Sequence, residues 1–417
     1  MRTNQTARML LLSSVATVAM MTTANALEAQ AFVDRVAEVY GHIGYDLEFG
    51  AATLDGDTVT VDGVTVGFTG AGTEELEPMT FDTEITFEGV TENGDGSYSV
   101  AALTIPDIDS EFVEDDITGN ITLSDIRADN LYLPAGDTVP SVMMLQLLES
   151  ISTGPLLLTR NGEEVLSIDS MEAVSTFNPS QGTVDLVDVA STLNIAGISL
   201  DLSTVSEEDP AAGATIEALG LTTITGDITQ DFTWSMADGK MTLVEFLFYF
   251  ADVGALNITG EFDGFTPAVL DQLYAMQDSM AAAGEEMTEE QAQAQMMQGM
   301  AIMQGVNIVN TSVRYDDAGL APKLLDFFAQ QSGGDRAAFV DMLKAQLPAM
   351  LAGSGIPALN DVVIPPVEAF LDDPQSIEVK VAPPSPASLL VLMAAAANPA
   401  GLIDALGLEI IANTAAE

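Results

Sequence analysis

The sequence predicts an α+β protein, a large antiparallel meander sheet with helices packed on its apolar face. Three observations lead there. From Asp57 to Phe262 apolar residues recur with period two, as in strands with one face in water. Turn pairs such as Asn93-Gly94, Asp95-Gly96, Asn161-Gly162 and Asp238-Gly239 separate these runs. From Thr266 onward the period becomes that of helices, with strands returning at intervals.

Before the sheet, Phe32, Val36, Val39, Tyr40 and Ile43 recur at helical spacing with Asp34, Arg35 and Glu38 between them, an amphipathic helix. "TVTVDGVTVGF" (58–68) reads as two β-branched runs joined at a hairpin turn, Asp62-Gly63, and "FDTEITFEGV" (81–90) alternates Phe and Ile with carboxylates. Strand grammar continues at 96–105, 117–134, 163–177, 183–202, 221–236, 240–250 and 254–262. One short helix is expected within the meander, "PSVMMLQLLESIS" (140–152), apolar around most of its circumference. Thr266-Pro267 looks like an N-cap with Pro at the first helical position, and helices are expected at about 267–282, 289–304, 321–331 and 335–352, with a strand at 305–317. Thr288 to Gln291 has the spacing of a capping box. A short helix (365–374) stopped by Pro374, a strand (376–382), a helix (386–397) and a strand (406–413) close the chain.

The first residues, Met1-Arg2 with Arg8, an apolar stretch Met9 to Met21, and Ala24-Asn25-Ala26, have the layout of a cleaved secretory signal. The apolar stretch falls short of the roughly 20 residues of a membrane-spanning helix. The expected organisation is therefore a signal peptide at 1–26, cleaved before Leu27, a helix plus sheet-rich region at 27–264, and a helix-rich region at 265–417 that returns strands to the sheet. Near the C-terminus Pro399 and Asp404 interrupt the apolar tail, so the chain is not expected to be an integral membrane protein. The expected compartment is the periplasm.

Composition removes several chemistries. The chain has no Cys, hence no disulfide, thiolate metal site or Cys nucleophile. A formal charge of −52 with only 11 basic residues opposes nucleic acid and anionic headgroups, both of which are bound through clustered Lys and Arg. The single His, His42, follows the first helix within "YGHIG", where capping the helix's negative pole explains it better than a catalytic triad does. No nucleotide, zinc-protease or serine-hydrolase motif is present. A glycosidase would need aromatic platforms, and aromatics are 6% of the chain with one Trp, Trp234. No enzyme and no cofactor are expected.

Three clusters remain. Asp55, Asp57, Glu92 and Asp95 sit in glycine turns, which suits either calcium or plain hairpins. Met276 to Met303 holds seven of the 20 methionines, and Met296, Met300 and Met303 share a helix face, with Met297 beside it and Met276 and Met280 on the preceding helix. Thioethers in this pattern fit a core seam, a deformable cover over an apolar groove, or a Cu(I) site. The run Phe246, Leu247, Phe248, Tyr249, Phe250 breaks the alternation, so this strand is expected to be covered on both faces. Put together, Phe246, Phe248, Phe250, Met276, Met280, Met296, Met300 and Met303 are the candidate site for an apolar ligand such as a lipid acyl chain, between sheet and helices.

The stretches "VYGHIGYDLEFGAATLDGDTVTVDGVTV" (39–66), "DDAGLAPKLLDFFAQ" (316–330) and 369–413 resemble an uncharacterised family of exported, acidic, sheet-rich proteins of Gram-negative bacteria. More loosely the chain is similar to periplasmic long-sheet proteins of the AsmA type. The resemblance implies residence in the periplasm and a role in the envelope or in lipid handling, and carries over no catalytic residue. The function expected is thus that of an exported non-enzymatic envelope protein that binds an apolar ligand. A calcium- or copper-binding module and a purely structural or interaction protein are the alternatives.

Overall fold

A computed structural model of the chain describes residues 27–42, 44–68, 78–114, 117–136, 147–179, 187–283, 289–353, 355–388, 390–391 and 399–415. The expected signal peptide and Thr288 of the capping box lie outside them. Helix α1 (Ala29–Gly41) comes first, then β1 (Tyr45–Phe49), β2 (Ala52–Asp55), β3 (Thr58–Phe68), β4 (Met79–Glu88) and β5 (Thr91–Glu92). Next are β6 (Tyr98–Ile105), β7 (Ile108–Glu114), β8 (Ile117–Leu123), β9 (Ile126–Leu133), β10 (Leu148–Thr153), β11 (Leu156–Arg160), β12 (Glu163–Ile168), β13 (Ser170–Pro179) and β14 (Val187–Asp201). Two short helices, α2 (Val205–Glu208) and α3 (Pro210–Leu219), precede β15 (Thr223–Ser235), β16 (Lys240–Phe250) and β17 (Gly254–Asp263). Then come α4 (Pro267–Ala283), α5 (Glu289–Gly305), β18 (Asn307–Asp317), α6 (Leu320–Gln331), α7 (Arg336–Ala352), α8 (Leu359–Asp372), β19 (Ser376–Val381), β20 (Ala387–Ser388), α9 (Pro399–Leu406) and β21 (Leu408–Ala412).

All 21 strands join one antiparallel sheet, so the α+β meander read from the sequence is the fold. Its main order is β1 and β2 side by side on β3, then β4, β6, β9, β10, β13, β14, β15, β16, β17, β18, β19 and β21. β7, β8, β11 and β12 extend four of these strands and rejoin at β14.

Period-two alternation found most of the strands but misread three segments. Residues 58–68 form one strand, and Asp62-Gly63 is a bulge where the register against β4 shifts, with Gly63 at φ +85°; the hairpin turn lies instead at Gly56-Asp57, between the paired Asp55 and Thr58. The helix expected at 140–152 is corrected to strand over its described part: Leu148–Thr153 is β10, paired on both sides, because ladder partners on β9 and β13 outweigh a short apolar run's helical preference. Residues 140–146 fall outside the description. The start of the helix expected at 386–397 is strand β20, paired with Asn307 and Ile308. α8 begins earlier than expected and carries Pro365 and Pro366 inside it. β1, β2, β5, β7, β11, α2, α3 and α9 were not anticipated.

A crease crosses the sheet. Pro106-Asp107, Ser124-Asp125, Gly154-Pro155 and Asp169 interrupt four neighbouring strands at matching register, and the β14 register shifts at Ala196-Gly197. Backbone bonds bridge the gap: Ser124 N to Pro155 O at 3.2 Å, Gly154 N to Ser124 O at 2.9 Å and Asp169 N to Ala196 O at 2.9 Å. Aspartates fill the line, Asp125 lying against Gly154 and Asp169 against Gly197, while Asp107 accepts from Asp125 N at 3.1 Å and Asp227 from Gly197 N at 2.9 Å. With φ +67° and a Cβ position 2.1 Å from Asp169 Oδ2, residue 197 has room only for glycine.

The densest core lies where α1 covers β3, β4, β6 and β9. Phe32, fully buried, meets the rings of Phe87 at 5.1 Å and Tyr98 at 5.4 Å edge-on. Arg35, expected on the solvent side, is buried instead: its Nε donates to Pro134 O at 2.7 Å and its Nη1 pairs with Glu38 at 2.7 Å, so the helix is tied to the end of β9. The buried positions on β9 are Ile126, Ala128, Leu131 and Leu133; the alternation slips at Asn130, whose φ is +55°.

Candidate functional site

Strand pairing sets residues of neighbouring strands side by side, so the register shows what each face carries. One row runs Val59, Phe87, Leu103, Ala128, Ile151, Ala173, Leu193, Gln230, Phe246, each paired with the next. It resumes as Ile258, Val313, Val379 and Ile410 on β17 to β21. Two residues further along the strands lies a second row: Met171, Ile195, Ile228, Phe248, Leu256, Tyr315, Ile377 and Ala412. The intervening row points the other way and is largely polar: Glu172, Asn194, Thr229, Leu247, Asn257, Arg314 and Glu378. Strong one-sidedness over so many strands follows from alternation within each and register between them.

Cover over the apolar face is uneven. At the α1 end Val59 and Phe87 are buried, 0% and 2% exposed. Along the middle, Ile151 is 44% exposed, Val313 42% and Val379 39%, and Ala173, Leu193, Phe246, Phe248 and Ile258 are half-buried. Between β10 and β19 the two rows form a floor of roughly 34 Å by 7 Å, from ordinary strand spacing and rise. Helices border it at both strand ends. α3 and α6 to α8 leave from the end holding Phe250, Gly254 and Asp317; α4, α5 and α9 from the end holding Lys240, Asp263 and Asn307.

Local contacts fix those borders. At the first end Tyr315 packs against Phe370 of α8, ring centres 6.5 Å apart. Its hydroxyl lies 2.6 Å from Val253 O and 2.9 Å from Asp317 Oδ1, and Asp317 in turn accepts from Gly319 N and Ala321 N at the start of α6. Burial, and next the bond to Asp317, hold the Tyr315 phenol well above its ordinary pKa. At the opposite end Val187, Val189, Trp234 and Met236 form a buried cluster on the same face, with Phe265 and Leu270 packed on it, and Trp234 Nε1 donates to Phe265 O at 2.7 Å. That anchors the root of α4.

The candidate site residues divide accordingly. Phe246 and Phe248 lie on the floor, ring centres 4.4 Å apart, and Phe250 stands opposite Gly226 and Gly254 at its border. Tyr249 is 45% exposed and Leu247 pairs with Thr229 and Asn257, so the expected cover on both faces of β16 is present on neither in full. Met276 is half-buried on α4; Met296, Met297 and Met300 on α5 are 68%, 66% and 44% exposed, which departs from a packed seam. Met280 and Met303 belong to α4 and α5, but their side chains lie outside the description. Gln298 Nε2 donates to Gln272 O at 2.9 Å and links the two helices.

Other candidates are accounted for locally. His42 is exposed after the last turn of α1, its backbone N–H bonded to Val39 O. Asp95 accepts from Ser97 N at 3.0 Å and Ser97 Oγ at 2.7 Å, and the hydroxyl bond first, then the backbone bond, lowers its pKa. Among the described residues no group of three or more His, Asp and Glu is arranged to hold a metal ion. A dent of about 290 Å³ on the polar face is lined by Asn178, Asp188, Thr233, Ser235, Lys240 and Thr242 among others, but Ser235 bonds Asp188 at 2.9 Å and Lys240 pairs with Glu261 at 2.6 Å. No described helix is long and apolar enough to cross a membrane.

A family model described only as "Uncharacterized protein" matches residues 247–413, about two fifths of the chain. The match begins inside the Phe246 to Phe250 run and takes in β17 to β21 with their helices, including two of the three stretches that carry the resemblance noted from the sequence. The chain matches no curated protein.

What sequence reading missed was the row. Ile151, Leu193, Val313 and Val379 were each legible as the apolar half of an alternating strand, but only pairing brings them side by side.

Proposed function

We propose that this is an exported, non-enzymatic protein of the bacterial envelope, resident in the periplasm after loss of residues 1–26, that carries an apolar ligand such as a lipid acyl chain on the floor between its helical borders. The observation that carries the reading is the floor itself, two adjoining apolar rows left half-exposed across the middle of a sheet whose other face is polar. The larger contiguous apolar patches on a protein surface are often functional. The patch is long and narrow, the shape of an extended chain. Its border helix α5 presents Met296, Met297 and Met300, thioether side chains that adapt to varied apolar occupants.

Binding of an environment-sensitive naphthalene dye tests the proposal. The mature protein should take up the dye with a blue shift, and Val313→Asp, at a site already 42% exposed, should cut its affinity about tenfold without unfolding the sheet. Equal dye binding by the protein and by Val313→Asp would refute the floor as the site.

A further inference from the structure

A single side chain breaks the apolar character of the floor's long row. Gln230 occupies the long row between Leu193 on β14 and Phe246 on β16, and Ile228 and Phe232 flank it on the same face of β15. It is half-buried, and among the described residues its amide makes no hydrogen bond within the protein. An amide so placed offers two donors and an acceptor into a row that otherwise offers none, whereas the Tyr315 hydroxyl in the second row is engaged by Val253 O and Asp317.

While the floor is open, water satisfies that amide. An occupant lying along the row displaces the water, and a plain hydrocarbon leaves donor and acceptor unpaired. An occupant bearing an ester, amide or hydroxyl at that place pairs with them. Covering Gln230 therefore favours one class of apolar molecule over another, just as a site built to hydrogen-bond rejects the analogue that lacks the bonding group. The position is central: apolar residues continue on both sides, towards Ile151 in one direction and Val379 in the other.

We infer that Gln230 sets the ligand class: it selects acyl compounds that carry an ester, amide or hydroxyl group over bare hydrocarbon, and fixes that group at β15 with hydrocarbon extending along the rows. The inference rests on the floor being the binding site. The mature full-length chain is titrated with dye, and the dye is then displaced by methyl palmitate or by hexadecane, each delivered from cyclodextrin. Methyl palmitate is expected to displace it at roughly tenfold lower concentration. In Gln230→Met, close in size and without an amide, the two competitors become equivalent, each potency being corrected for that variant's own dye affinity; Gln230→Leu repeats the test should Met misfold. Equal potency of the competitors on the unaltered protein, or an undiminished preference in Gln230→Met and Gln230→Leu, overturns the role of Gln230. Failure of both competitors to displace the dye overturns the carrier reading and the inference with it.

Discussion

Gly197→Ala tests whether the crease is built as described. The residue sits at φ +67°, a left-handed conformation that costs an L-residue about 1–2 kcal/mol. Its new methyl would stand 2.1 Å from Asp169 Oδ2 and 2.7 Å from Asp169 Cβ, so the carboxylate must leave the crease. Displacing it strains a segment held by the Asp169 N to Ala196 O and Gly197 N to Asp227 bonds, each worth about 1 kcal/mol. The expected loss is about 2–4 kcal/mol, read as a lower urea midpoint. Gly162→Ala is the control, since Gly162 has φ +85° and nothing within 4 Å of its Cβ position, so only the backbone cost of about 1–2 kcal/mol applies. Adding Asp169→Ala to Gly197→Ala should recover the part of the steric cost due to the carboxylate, while the contact with Cβ at 2.7 Å remains. Equal losses at Gly197 and Gly162, or no gain from the second substitution, would refute the close approach.

Other outcomes follow from the same geometry. Phe32→Ala, emptying a fully buried site beside Phe87 and Tyr98, should cost about 3–5 kcal/mol by urea unfolding, while Met297→Ala at 66% exposure should stay within about 0.5 kcal/mol. At net charge −52 the folded chain repels itself, so adding sodium chloride should raise its melting temperature; a flat or falling response would contradict this. Tyr315 has a raised folded pKa, so its contribution is fully present below the unfolded value near 10 and is lost as pH rises through the folded one. Tyr315→Phe should therefore flatten the decline of stability above about pH 10 seen in circular dichroism melts.

The sheet was legible because its alternation is local: "FDTEITFEGV" (81–90) and "LTTITGDITQDFTWSM" (221–236) each show period two within ten residues or so. The helices after Thr266-Pro267 were equally plain, since caps and periodicity are local signals. Residues 148–152 misled because a short apolar run has no distinct period, and its strand partners lie on β9 and β13, far along the chain. The candidate site was half legible. Phe246 and Phe248 declared themselves by breaking the alternation, whereas Ile151, Val313 and Val379 join them only through register, a non-local quantity. Gln230 was hidden for the same reason: within "DITQDFTW" it is an ordinary polar residue, and only its neighbours across the sheet make it an amide on an apolar floor. The exposure of Met296 and Met300 could not be read either, because a helix face at 3.6 spacing is apolar whether or not anything covers it.

Native mass spectrometry of the protein isolated from its own cells, followed by solvent extraction, probes the floor most directly. Copies carrying one extra acyl-containing mass are expected, and they should be strongly depleted in Val313→Asp. Recovery of bare polypeptide alone, with an extract free of acyl compounds, would contradict a carrier role for the uncovered rows.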